Sequence, residues 1–180
     1  SILATEAACQ THASLRYGLG WDLPGVRVKM NVGTAIHAGM DVFFAGGAPA
    51  AVLAAFEAAY TGMGIGQAIA EMDEKQQKGF QAYTLANLKR IVAEYCVRNA
   101  LLPFEVEPST IEQGFVVLLD PEFNIWYSGT PDVGQAYMRG SRSLYVVDTK
   151  STGSYLTAEY KRGYRTASQM TGYLWGLREA

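Results

Sequence analysis

After the segment "NALLPFEVEPS" the chain stops repeating its apolar residues at threes and fours. It begins to gather Val, Ile, Leu and aromatics into short runs, "GFVVLL", "FNIWYSG" and "SLYVVDTK". That switch, reversed again near Ala158, excludes an all-helical bundle and an all-β sandwich alike. Ahead of it, "VGTAIHAGMDVFFAGG" reads as a helix closed by a glycine pair. "APAAVLAAFEAAYTG" reads as a strong helix with Pro49 in its first turn and Gly62 beyond its end. From about Gly66 to Arg98, the recurrence of Ile69, Met72, Phe80, Tyr83, Leu88, Ile91, Val92 and Tyr95 predicts one long amphipathic helix or two abutting ones. The stretch to about Trp21 predicts a short helix followed by a loop at "GLGWDLPG".

Within the β-rich part, "DPEF" is a turn signal between the first two runs, which predicts an antiparallel hairpin, and "VGQAYMRGSRS" reads as a loop leading into the third strand. From about Ala158, Tyr160, Tyr164, Met170, Leu174 and Leu177 supply the apolar side of a closing helix. The expectation is α+β: helices first, a small, mixed but mostly antiparallel sheet, then a helix. With 180 residues, 49% of them hydrophobic, one compact domain over 1–180 is expected.

A formal charge of −2 argues against a protein that grips polyanions with its whole surface. From Gln135 onward, however, Arg139, Arg142, Lys150, Lys161, Arg162, Arg165 and Arg178 outnumber Asp148, Glu159 and Glu179. This pattern fits a local basic face or an ordinary solvated helix surface. No apolar run approaches the roughly 20 residues of a membrane-spanning helix, and "SILATEAACQTHASLRYG" lacks the order of a secretory signal. A cytoplasmic protein without a membrane partner is expected. Cys9 and Cys96 are too few for a disulfide scaffold and read as reduced core residues.

The third run ends in Asp-x-Lys. Residues two apart share a strand face, so Asp148 and Lys150 point one way and Thr149 the other. One reading is a salt pair at the strand end. Asp132 favours another, because it follows Gly129 and Pro131 at the end of the preceding strand, where it could stand beside Asp148. Two carboxylates at one place repel unless something positive lies between them, commonly a divalent cation. His37 lies near the start of a helix, four positions after Gly33, and Gln169 and Tyr173 lie one helical turn apart.

The set "GTAIH" (33–37), "GTPD" (129–132), "VVDTK" (146–150) and "QMTGY" (169–173), in that order, resembles the PD-(D/E)XK nuclease superfamily, particularly its RecB-like branch of phage and recombination exonucleases. The resemblance spans about residues 30–178. It implies a restriction-endonuclease-like fold and a metal-dependent DNA nuclease, an exonuclease of recombination, repair or phage type in a bacterial or phage-infected cell. The alternatives are a non-catalytic nucleic-acid-binding module of the same fold and an RNA nuclease. It further implies that Asp132 and Asp148 bind Mg²⁺ or Mn²⁺ with His37 and the Thr149 carbonyl. Lys150 would orient or deprotonate the attacking water and help neutralise the pentacovalent phosphate. Gln169 and Tyr173 would be a supporting pair near the DNA, single- or double-stranded. Lys161, Arg162 and Arg165 would add a basic contact, and an oligomer or a helicase partner is compatible with the family. Glu112, in "IEQGFVVLL", resembles the family's strand glutamate, with Glu105 and Glu107 as rivals. Some relatives carry a four-cysteine iron–sulfur cluster; only Cys9 has a fitting position here, so no cluster is expected. Relatives usually continue past "LWGLREA" into a further strand, so a smaller sheet or a fragment is expected.

Overall fold

The computed structural model describes residues 27–141, 143–150, 157–165 and 168–180. The helix and loop expected before Gly25, Cys9 with them, lie outside the described residues. Helix α1 (Val28–Phe44) starts ahead of the expected segment because Val28 joins Val32, Ala35, Met40 and Phe44 on its buried side. It closes at the glycine pair, where Gly46 takes a φ of 80° that disfavours any side chain. Helix α2 (Pro49–Gly62) answers with buried Val52, Phe56 and Tyr60. The two helices meet closely at Gly39, where a Cβ would stand 3.2 Å from both the Phe56 Cβ and the Val52 carbonyl oxygen.

In place of the one long helix or two abutting ones expected over 66–98, the chain forms α3 (Ile65–Ala70), α4 (Glu74–Phe80), a 3₁₀ turn at Gln81–Tyr83 and α5 (Leu85–Arg98). The first division has a local cause. The Gln76 N–H donates to the Asp73 carboxylate at 2.8 Å, and the Asp73 N–H donates back to the Gln76 side chain at 3.2 Å. This capping box starts a new helix where apolar spacing alone would continue the old one. The Tyr60 hydroxyl donates to the Tyr83 carbonyl at 3.0 Å and ties the 3₁₀ turn to α2. Helix α5 then buries Leu88, Val92 and Cys96, whereas Ile91, expected on the same side, is exposed.

Among the described residues five strands follow: β1 (Phe104–Val106), β2 (Phe115–Asp120), β3 (Ile125–Gly129), β4 (Val133–Met138) and β5 (Leu144–Val147). The β2–β3 hairpin forms as expected, its turn closed by Asp120 Oδ1 accepting from the N–H groups of Glu122 and Phe123. The loop expected at "VGQAYMRGSRS" is corrected: its first six residues are β4, the middle strand of the order β1–β4–β5, antiparallel on both sides. The covered first half of this strand takes small residues. Val133 and Ala136 are fully buried, and a Cβ on Gly134 would stand 3.3 Å from Thr110. Small residues remove the large-apolar alternation by which a strand is recognised.

The closing helix is described as α6 (Ala158–Arg165) and α7 (Ser168–Glu179). Helix α7 lies on the β2–β3 hairpin through glycines. A Cβ at Gly172 would fall 2.0 Å from the Tyr127 hydroxyl, and one at Gly176 2.0 Å from the Phe115 ring. Tyr173 therefore faces inward, while Leu174, expected on the apolar side, is exposed. Two cores result. The larger joins α1, α2, α3 and α5 to Val133 and Ala136 of β4; the smaller is built from Phe115, Val117 and Tyr173, with Tyr127, Val146, Met170 and Leu177 against them. The whole is mixed α+β, small antiparallel sheets flanked by helices. Among the described residues, no helix is long and apolar enough to cross a membrane.

Candidate metal centre

Strands β4 and β5 pair Val133 with Val147, so the next residue outward on each strand sets Asp132 across from Asp148. Asp132 thus precedes β4 and does not end the strand before it, as the sequence suggested. The buried ladder behind it leaves Asp132 only 3% exposed, and the Asp148 side chain is equally covered. Gly129 admits this arrangement, since a Cβ there would lie 2.7 Å from the Tyr173 ring and 2.9 Å from that of Phe115. The glycine of "GTPD" and the tyrosine of "QMTGY" are therefore packing partners.

Both carboxylate oxygens and the carbonyl of Asp132 are engaged. His37 Nδ1, from the middle of α1, stands 3.1 Å from its Oδ1. The Thr149 N–H donates to its Oδ2, and the Glu112 N–H donates to its carbonyl at 3.0 Å. Burial would raise the Asp132 carboxyl, but the bonds from His37 and Thr149 outweigh it and hold the group below its ordinary value. The same bond to Asp132 raises His37 against the opposing effect of burial.

Glu112 lies in a turn and not on a strand, as was expected of the family's glutamate. The cause is the isolated bridge between Ile111 and Val133, after which Glu112 adopts a φ of 51°. One ligand atom from each of His37, Glu112 and Asp132 falls within 4.8 Å of the others, a spacing compatible with a shared cation. The two rival glutamates are placed elsewhere. Glu107 accepts from the Ser109 hydroxyl at 2.9 Å, and Glu105 is exposed on β1 opposite Tyr137. Burial, then Asp41 and Asp132, raise the Glu112 carboxyl.

Lys150 Nζ approaches Asp148 Oδ2 at 2.5 Å, so the Asp-x-Lys pair does share a face beyond the end of β5. The approach balances charge without the alignment of a hydrogen bond, and the buried Asp148 Oδ2 keeps no such partner among the described residues. Thr149 points its N–H at Asp132. Gln169 donates to the Tyr173 hydroxyl at 2.7 Å, joining these two residues one turn apart on α7. Tyr173 is buried in the smaller core, so of the two only Gln169 reaches solvent. Lys161, Arg162 and Arg165 all belong to α6, and the Arg162 side chain is exposed.

Sequence reasoning missed Asp41. It lines a cavity of about 410 Å³ with Gly33, Thr34, His37, Ala38 and Glu112. Burial, with Asp132 nearby, raises its carboxyl, and His37 opposes this. The signal was present in its spacing, four residues after His37 and so on the same helical face. It went unread because "AGMDVFF" is otherwise apolar.

The carboxylate oxygens of Glu112 and Asp132 with the imidazole of His37 form a donor set that suits a hard divalent cation; Asp148 lies outside that trio, its Oδ2 paired with Lys150. Across residues 1–180 the chain matches a family model described as the PD-(D/E)XK nuclease superfamily. No curated protein and no solved structure matches it.

Proposed function

The chain belongs to the PD-(D/E)XK nuclease superfamily, and from that premise we propose that it hydrolyses phosphodiester bonds of DNA with Mg²⁺ or Mn²⁺, as an exonuclease of the RecB-like branch acting in recombination, repair or phage growth. One observation carries the reading: two covered carboxylates, Asp132 and Asp148, face each other with His37 on one side and Lys150 on the other. Each carboxylate has one positive neighbour, and a shared divalent cation would offset the repulsion that remains between them.

In this reading Asp132, Asp148, His37, Glu112 and the Thr149 carbonyl hold the ion, which when bound offsets phosphate charge and makes hydroxide available near neutral pH. The residues divide the remaining work. Asp132 is fixed by His37 and by the Thr149 N–H, so its carboxylate does not have to reorganise. Lys150 aims a positive charge at the phosphate, where negative charge builds up as the bond to the attacking oxygen forms. Gln169, held by Tyr173, supports the strand, and Lys161, Arg162 and Arg165 attract the backbone in a salt-dependent manner.

The test compares end-labelled linear duplex, covalently closed circular DNA, single-stranded DNA and RNA, each with metal and with chelator. Degradation of linear DNA alone, abolished by chelator, is expected. Cutting of the closed circle overturns the exonuclease reading, and preference for RNA overturns the substrate. Asp148→Ala should weaken metal binding and lose cleavage. Lys150→Ala should keep metal and slow cleavage by about 100-fold or more. Were both variants to bind metal and cut like the parent, the Asp-x-Lys would be a strand-end salt pair only.

A further inference from the structure

Asp41 is an acid in a place that folding alone does not favour. It sits in the last turn of α1, where the helix dipole disfavours a negative charge. Its Oδ1 is buried and has no hydrogen-bond partner among the described residues. Deep polar oxygens in folded proteins are nearly always satisfied, so an orphan calls for a ligand or a water. The side chain shares its cavity with His37 and Glu112, two members of the trio whose ligand atoms lie within 4.8 Å of one another, and stands outside that trio. The cavity of about 410 Å³, to which Thr34, His37, Asp41 and Glu112 contribute polar side chains, has ample room for ordered water between Asp41 and an ion held by the trio.

We propose that Asp41 is a positioning residue of the metal centre: its carboxylate accepts a hydrogen bond from a water carried by the divalent cation and does not bind the cation directly. The proposal rests on the metal-nuclease reading. It explains why the carboxylate lies on the same face as His37, one turn further along α1: a single rigid helix then presents a direct ligand and an outer acceptor at fixed separation.

The experiment titrates Mn²⁺ into the parent, Asp41→Asn and Asp41→Ala by calorimetry. Water-proton relaxation counts the waters on bound Mn²⁺, and thermal melts are recorded without metal. The Mn²⁺ Kd should rise about 10-fold or more in both variants, the scale on which outer partners act. The water count per ion should stay the same, and metal-free Asp41→Asn should melt at or above the parent, having lost a partly buried carboxylate. An unchanged Kd overturns the proposal. So does one additional water per ion, which would make Asp41 a direct ligand, and so does a lowered metal-free melting temperature, which would make its role structural. A parent that binds no Mn²⁺ overturns the metal-nuclease reading itself; binding by the parent with unaltered variants overturns only the role of Asp41.

Discussion

The candidate centre has two walls, and they are held by unequal means. His37 and Asp41 stand on α1, whose other side is anchored in the larger core by Val28, Val32, Ala35, Met40 and Phe44. Asp148 and Lys150 follow β5, where Val146 packs against the smaller core of Phe115, Val117 and Tyr173 and only Val147 reaches the larger one. Asp132 spans the two, since Val133 beside it belongs to the larger core while the preceding "GTP" runs back to Gly129 under the Tyr173 ring. The helical wall is thus secured by buried volume. The strand wall is secured by close approach at three glycines, where there is little apolar mass to absorb an error. A site of this kind can lose its geometry on one side while the molecule stays folded.

The largest effect should follow truncation of Phe56, which is fully buried in the larger core. Phe56→Ala should cost about 3–5 kcal/mol of global stability, read from urea denaturation, with both walls lost together at the transition. Gly176→Ala should cost less, about 1–3 kcal/mol for an overpacked contact. Its Cβ would fall 2.0 Å from the Phe115 ring and lift α7 from the hairpin. Near-ultraviolet circular dichroism should change at Trp175 and Tyr127, whose rings are 6.1 Å apart, and cleavage should drop while far-ultraviolet signal persists. Equal destabilisation by the two substitutions would erase the distinction between the walls.

A smaller effect joins them. In metal-free protein, His37 is raised, so its contribution is complete below its unfolded value of about 6.5 and is lost as pH rises through the higher folded value. Asp132 is lowered, so its contribution is present above about 3.9 and is lost as pH falls through the folded value. Metal-free stability should therefore peak between about pH 4 and 6.5. His37→Asn should flatten the alkaline side, which thermal melts across pH would show; a parent-like profile would mean that the 3.1 Å contact does not span the walls in solution.

The parts of this arrangement that were legible in the sequence share one property: the signal is local. Asp120 and the turn after it announced the β2–β3 hairpin, and the glycine pair at 46–47 announced the end of α1. What could not be read depended on distant partners. β4 looked like a loop because its first half, covered on both faces, takes Val133, Gly134 and Ala136 in place of large alternating side chains. β1 has three residues, too few for a pattern. The capping box at Asp73 and Gln76 is written in "DEKQ", but apolar spacing alone does not register it. In the candidate centre, the position of Asp132 opposite Asp148 was anticipated, but through the wrong strand. Asp41 was hidden by its apolar neighbours, and the inward turn of Tyr173 follows from glycines whose partners lie 45 to 61 residues away, as Gly172 to Tyr127 and Gly176 to Phe115.

Glu112 illustrates how selection could act on such a molecule. Its φ of 51° is one that glycine adopts freely and glutamate does not, at a difference of about 1 kcal/mol. In a mutant library screened for heat resistance, Glu112→Gly should be enriched, since it frees the backbone and deletes a carboxylate crowded by Asp41 and Asp132. In the same library screened for phosphodiester cleavage it should be depleted, and deep sequencing of the two pools would give the ratio. Opposite enrichment at this one position would mark residue 112 as a place where inheritance has favoured work over durability.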